Sequence, residues 1–270
     1  MVTRLTHKGR APSSYGHSIS EIARQHPGQS IYTLALDLSS GTRISTHQHS
    51  EGQLLFAPAG VLAVTTNAGC WVVPGGQGLW IPANEPHWTR AIGTSRIRTI
   101  YLSGERSADL PIACTLMGIS TLLQELIAAV LLVTAHGAQE SRDYHLMALL
   151  VEELVAAPRS SRLLPTPGSE RLKDLCRAIS ANATLDWGLA ECAQFLGISM
   201  KTVQRWFQAD IGISFGEWRK QVRLFVALEN LALGKSVLEV SLDAGYSSPS
   251  AFSAMFRREF GMSPSTFQKV

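Results

Sequence analysis

The stretch LGISMKTVQRWFQADIG, Leu196 to Gly212, sets Lys201, Gln204, Arg205 and Gln208 at helical spacing. Arg and Gln side chains can read base edges in a DNA groove, and Lys meets phosphate. The plain alternative is a solvated surface helix. In the other half of the chain, GTRISTHQHSEGQLLFAPAG carries His47 and His49 two residues apart. On a strand, alternate side chains share a face, so both imidazoles point the same way. Neighbouring neutral imidazoles can ligate a metal ion.

The chain has 270 residues, 45% hydrophobic and 17% charged, which suits one or two ordinary globular domains. A formal net charge of +3 does not decide for or against nucleic acid, so the case rests on where charges sit. The longest apolar run, Leu126 to Val133, is far short of the ~20 residues of a membrane span. The N-terminus lacks the apolar core of a signal peptide. Cys70, Cys114, Cys176 and Cys192 form no CxxC pair, which excludes a zinc finger and fits reduced thiols in the cytoplasm.

Two grammars follow each other. SIYTLALDL, GVLAVTT, GCWVVPGG, GLWIPAN and RIRTIYLS are short strand-like runs punctuated by Gly, Pro and Asn, the pattern of a sandwich or barrel. Beyond Pro111 the spacing turns helical. Leu122, Leu126, Val130 and Val133 form one expected stripe, and Leu146, Leu149, Leu150 and Leu154 another. The three prolines of APRSSRLLPTPGS mark a connection. The reading is α+β with two domains: residues 1–157 with β structure and following helices, a linker at 158–169, and an all-α domain at 170–270.

The last domain repeats itself. Phe207, Gly212, Ser214 and Trp218 match Phe256, Gly261, Ser263 and Phe267, each pair 49 residues apart, as 256 is from 207. Each copy reads as a helix-turn-helix, at about 187–208 and 236–259. In the first, Ala190, Ala193 and Leu196 are expected on one face. Gly197 supplies a positive φ, Ser199 caps the next helix, and Val203 and Phe207 face the core. In the second, Ser248 precedes Pro249 as a cap, and Phe252 and Phe256 form the core pair. Between them, Ser214 and Glu217 form a capping box, and Gly234 ends the joining helix. About 19 helical residues span about 28 Å, near the ~34 Å between successive major-groove faces.

Leu172 to Phe267 resembles the AraC/XylS family of transcription regulators through these glycines, phenylalanine pairs and Gly-x-Ser ends. The resemblance implies a seven-helix DNA-binding domain. The expected DNA-facing residues are Ser199, Lys201, Thr202, Gln204 and Arg205 in the first motif. In the second they are Ser250, Ser253 and Arg257, with Ser248 at the cap. The second motif is expected to position the backbone more than to read sequence.

Gly41, His47, His49 and Gly60 resemble the first motif of a cupin, with Gln53 where a glutamate is usual and Glu51 nearby. Gly78, Pro82 and His87 resemble the second, with Ala91 where an asparagine is usual. This implies a small β-barrel with His47, His49, Gln53 and His87 as a metal or effector site. Three imidazoles would suit a divalent metal ion; the departure at Gln53 favours a barrel that has lost it. Trp71, Trp80 and Trp88 are read as packing rather than a ligand cage. The helices between 120 and 157 pack on the barrel or form a dimer seam.

The resulting reading is a sequence-specific transcription regulator of the cytoplasm, an activator by family resemblance. A small molecule or metal in the barrel is its signal. Its expected partners are double-stranded promoter DNA, RNA polymerase and a second copy of the chain. The rival reading is a metal-dependent cupin enzyme, an oxygenase or isomerase, carrying a DNA-binding appendage; a third gives the barrel only a dimerising role.

Overall fold

A computed structural model describes residues 3–5, 31–133, 141–160, 163–182 and 187–268. Most of the stretch read against a signal peptide lies outside these residues. The chain forms two compact units, Met1–Thr66 with Trp71–Arg162, and Asn67–Cys70 with Leu163–Val270.

The first unit is a cupin-like β-barrel with two helices. Its strands are β1 (Thr3–Leu5), β2 (Ile31–Leu38), β3 (Arg43–His47), β4 (Gly52–Thr66), β5 (Gly69–Pro74), β6 (Gln77–Ile81), β7 (His87–Leu102), β8 (Thr115–Gly118) and β9 (Arg159–Ser160). They pair in the order β1-β2-β7-β4-β6-β8-β9, with β3 also on β7 and β5 on β4. The two long strands organise the rest. β4 lies antiparallel to β7, and β7 holds β3 near its start and β2 near its end. Register shifts between Phe56 and Val61 bend the β4–β7 ladder. Gly52 admits the Trp80 ring against the backbone, since a Cβ there would sit 2.3 Å from Cη2. Trp71 and Trp80 are buried, and Trp80 Nε1 donates to Pro111 O. Trp88 instead carries the Arg43 guanidinium over its ring.

Helices α1 (Thr121–Val130) and α2 (Arg142–Ala156) close one core with Leu54, Phe56, Trp80 and Ile100. The buried stripes overlap the expected ones only in part. They run through Leu123, Leu126, Ile127 and Val130, and through Met147, Leu150 and Leu154, while Leu122 and Leu149 are exposed. The cause is degeneracy: α1 is apolar on nearly every side, so several stripes fit its sequence. Val133 lies beyond the end of α1.

The second unit holds β10 (Leu163–Pro165) and helices α3 (Glu170–Ala181), α4 (Leu189–Leu196), α5 (Met200–Trp206), α6 (Phe215–Ala232), α7 (Val237–Asp243), α8 (Pro249–Phe260) and α9 (Pro264–Phe267). The caps follow the sequence closely. Ser199 accepts from Thr202 N, Ser214 from Glu217 N, and Ser248 from Ala251 N. Gly197 takes φ 67°, and a side chain there would be strained. Val203, Phe207, Phe252 and Phe256 are fully buried. Ala190, however, is exposed; the buried face of α4 is Cys192, Ala193 and Leu196, with Leu189 half-buried. That set follows the i, i+3, i+4, i+7 rule, which Ala190 does not.

Two features escape sequence reasoning. The reading helix does not run on to Gln208: the chain widens at Phe207–Ile211 into a π turn, closed by Gly212 N donating to Phe207 O. The Asp210 carboxylate, carried on that turn, accepts from Gly168 N and Ser169 N and so caps α3 from a distance. These hydrogen bonds hold its carboxyl below the usual carboxylate range.

Phe207 meets Phe215 and Trp218 edge-on, at centroid distances of 5.2 and 5.7 Å. Phe207→Ala is expected to lower the stability of this unit by ~3–5 kcal/mol through the cavity it leaves. Met200→Ala, at an exposed position, should change it by under ~0.5 kcal/mol. Urea unfolding of the full chain, followed by tryptophan fluorescence, checks both.

Candidate metal centre and DNA-reading face

In the barrel unit the three motif histidines converge. His47 ends β3 and stands directly opposite His87 at the start of β7. The turn after β3 brings His49 to the same place, where its backbone oxygen accepts from Asn84 N in the loop before β7. The His47 and His87 ring centroids are 4.3 Å apart, and those of His49 and His87 are 5.2 Å apart. One nitrogen from each ring falls within 4.8 Å of the others.

Hydrogen bonding to the main chain leaves one nitrogen of each ring free to ligate. Nδ1 of His47 lies 2.8 Å from Ser45 O, that of His49 2.6 Å from Glu51 O, and that of His87 2.9 Å from Glu85 O. A carbonyl only accepts, so each Nδ1 carries the hydrogen. In the neutral rings, each Nε2 therefore keeps its lone pair. His47 Nε2 is buried and has no hydrogen-bond partner. Burial depresses the pKa of His47. It pushes that of His87 down to about 3, aided by repulsion from His47. Three oriented imidazoles, at least two of them held neutral, suit a divalent cation. Backbone carbonyls on their outer nitrogens are the usual support of a metal-ligating histidine.

Gln53 is almost fully buried beside them, with Oε1 3.1 Å from His49 Nε2. Its Nε2 donates to Thr99 Oγ1 and Tyr101 OH, both on β7. Tyr101 is the cross-strand partner of Gln53. Thr99 and Tyr101 were not legible as site residues; only the β4–β7 register reveals them. Ala91 also gains a place. Its backbone exchanges hydrogen bonds with Gly41 and Thr42, which ties the two cupin-like motifs together without the usual asparagine.

In the helical unit, Lys201, Gln204 and Arg205 are exposed on α5 and line one concavity with Arg219 of α6. Arg219 also donates to Trp187 O, which anchors its head group. Ser199, Thr202 and Ser248 are engaged locally. The Ser199 and Thr202 hydroxyls lie 2.9 Å apart, and Ser199 and Ser248 are helix caps. Gln208, read as an outward donor, gives its amide to Gly212 O and belongs to the π turn. On α8, Ser250 and Arg257 are exposed and Ser253 is half-buried. Arg258 pairs with its neighbour Glu259.

Two family models match: a helix-turn-helix domain over residues 192–269, and an AraC-like ligand-binding domain over residues 37–154. The chain belongs to the AraC family of transcription regulators. The regulator NimR of Escherichia coli is 28% identical over 222 residues, 82% of this chain and 81% of its own. The virulence regulon activator VirF of Yersinia enterocolitica is 27% identical over 255 residues, 89% of each chain. The regulator RipA of Corynebacterium glutamicum is 34% identical over 103 residues, 38% of this chain and 31% of its own. This AraC-family protein is thus a DNA-binding regulator with a ligand-binding domain, not an enzyme; the oxygenase or isomerase reading falls away. No helix among the described residues is long and apolar enough to cross a membrane.

The buried histidines make the barrel pH-sensitive. In the fold His87 stays neutral down to about 3, whereas the unfolded chain takes up a proton near 6.5. Between those values the unfolded state binds more protons, so stability present above pH 6.5 is lost as pH falls. His87 alone should cost ~2 kcal/mol between pH 7 and 5, and His47 adds to it. Urea midpoints of metal-free protein should fall over that range, and fall less in His87→Gln.

Proposed function

We propose that this regulator senses a divalent metal ion at His47, His49 and His87 and activates transcription through two successive major grooves. The observation that carries the sensing half is the shared tautomer: three Nδ1 hydrogens are spent on carbonyls, leaving three Nε2 lone pairs free on rings whose nitrogens come within 4.8 Å of one another. Arg205 and Gln204 read base edges from α5, and Lys201 meets phosphate. Ser250, Ser253 and Arg257 contact the second groove, chiefly its backbone. α6, with 18 residues and about 27 Å of length, sets the spacing. Activation is supported by the likeness to VirF, a transcriptional activator, and implies contact with RNA polymerase in the cytoplasm. A homodimer through α1 and α2 is the assembly we favour, because Leu122 and Leu149 lie exposed on them.

Mapping the protein across its own genome supplies the operator for the tests. Arg205→Ala should weaken that site by ~1–3 kcal/mol and relax its sequence preference. Lys201→Ala should weaken all DNA alike and reduce the salt slope by about one. Gel shifts at several salt concentrations check both, and unchanged affinity and slope in both variants would reject the assignment.

Sensing has its own test. The double variant His47→Ala, His49→Ala should lose stoichiometric metal and the metal-dependent change in promoter output. Its basal DNA affinity should stay within about twofold, because the reading helices lie in the other unit. Elemental analysis of untagged protein after incubation with zinc, nickel, iron or manganese salts gives the occupancy. Under ~0.1 equivalent per wild-type chain would reject the metal.

A further inference from the structure

We infer that the metal centre takes a small dissolved anion as an additional ligand, because the donors that the described residues gather there, His47, His49, His87 and Gln53, are neutral as ligands. The inference rests on the metal reading above. The amide of Gln53 is oriented by its surroundings. Its Nε2 donates to Thr99 Oγ1 and Tyr101 OH, at 2.8 and 3.0 Å. Turned the other way, the amide oxygen would face the Thr99 oxygen, whose own hydrogen goes to Leu54 O at 3.0 Å. Gln53 Oε1 is thereby held toward His49.

His49 Nε2 has a lone pair in the neutral ring, since Nδ1 donates to Glu51 O. Two acceptors thus face each other across 3.1 Å, inside a site where both residues are more than nine-tenths buried. Two lone pairs at that distance repel unless a positive charge lies between them, either a proton on Nε2 or the metal ion that takes its place. Atoms bound to one cation at about 2.0–2.2 Å lie roughly 3–3.5 Å apart. The Gln53 oxygen therefore stands where a fourth neutral ligand belongs.

Charge balance follows. Three imidazoles and an amide leave a divalent ion with its full charge, beside side chains of which His49, Gln53 and His87 are buried. An uncompensated buried charge is costly, and a carboxylate or another anion is the usual remedy. Among the described residues the cluster of ligand atoms contains the three histidines and no carboxylate. Glu51 acts on Tyr101 through its charge but stands outside that cluster. The missing negative charge is supplied from solution, by a monoanion with an oxygen or nitrogen donor such as formate or azide.

Cobalt(II) provides the readout, since its visible spectrum reports ligand changes without any need for DNA or promoter output. Full-length protein loaded with cobalt(II) sulfate is titrated with sodium azide, and separately with sodium formate. A saturable spectral change is expected with either. Gln53→Glu places a carboxylate at the same point. It should bind cobalt(II) about tenfold or more tightly and lose most of the azide response. Gln53→Met, which offers no oxygen, should bind cobalt(II) more weakly than the wild type. A wild-type cobalt spectrum unchanged by saturating azide and formate would overturn the inference, and that titration needs no variant. Failure of wild-type protein to bind cobalt(II) at all would remove the centre itself, and the inference with it.

Discussion

Three hydrogen bonds from ring nitrogens to main-chain carbonyls set the character of the barrel. Each links a histidine to a residue two positions away, so each is fixed by local chain geometry rather than by distant packing. Together they assign the tautomers and leave an Nε2 lone pair free on each of three clustered rings. The strand frame does the rest. β3 and β4 flank the start of β7, which puts His47 across from His87, and the β4–β7 register puts Gln53 across from Tyr101. Without that frame the site would be three scattered imidazoles. With it, desolvation holds His47 and His87 neutral, the state a metal requires.

The helical unit depends on a different economy. Each half of the duplication spends a glycine on the turn, a serine on the cap and two phenylalanines or a Val–Phe pair on the core. That leaves the outward positions of α5 free of structural duty, and Lys201, Gln204 and Arg205 project from them. The second copy diverges in chemistry while keeping the frame: Phe256 packs against Phe252, Phe260 and Phe267, yet Ser250 and Ser253 replace the longer donors of the first. A shared scaffold thus carries two chemically unequal outward faces.

Much of this was legible because it follows from short-range rules. Short apolar or alternating runs punctuated by Gly, Pro and Asn located the longer strands, and the repeat located both helix-turn-helix motifs with their caps. His47 and His49 share a face by simple alternation, whereas His87 was placed only through its motif resemblance. The misses have physical causes. α1 is apolar on nearly every side, so its stripe was ambiguous, and Leu122 lies outside the core. The π turn arises from a long-range need: it presents Asp210 to Gly168 and Ser169, more than forty positions upstream. Thr99 and Tyr101 became site residues only through strand register, which no local pattern in β7 announces. Gln53 looked like a lost glutamate. In its setting it is a buried amide with both ends engaged, which points to a neutral centre rather than an abandoned one.

X-ray absorption spectroscopy of the zinc-loaded, untagged full-length protein reads the ligand shell itself. A first shell of nitrogen and oxygen atoms near 2.0–2.1 Å is expected, with multiple-scattering features from three imidazoles that fall to one in His47→Ala, His49→Ala. A spectrum with one imidazole or none in the wild type, or a shell containing sulfur from cysteine, would contradict the three-histidine centre.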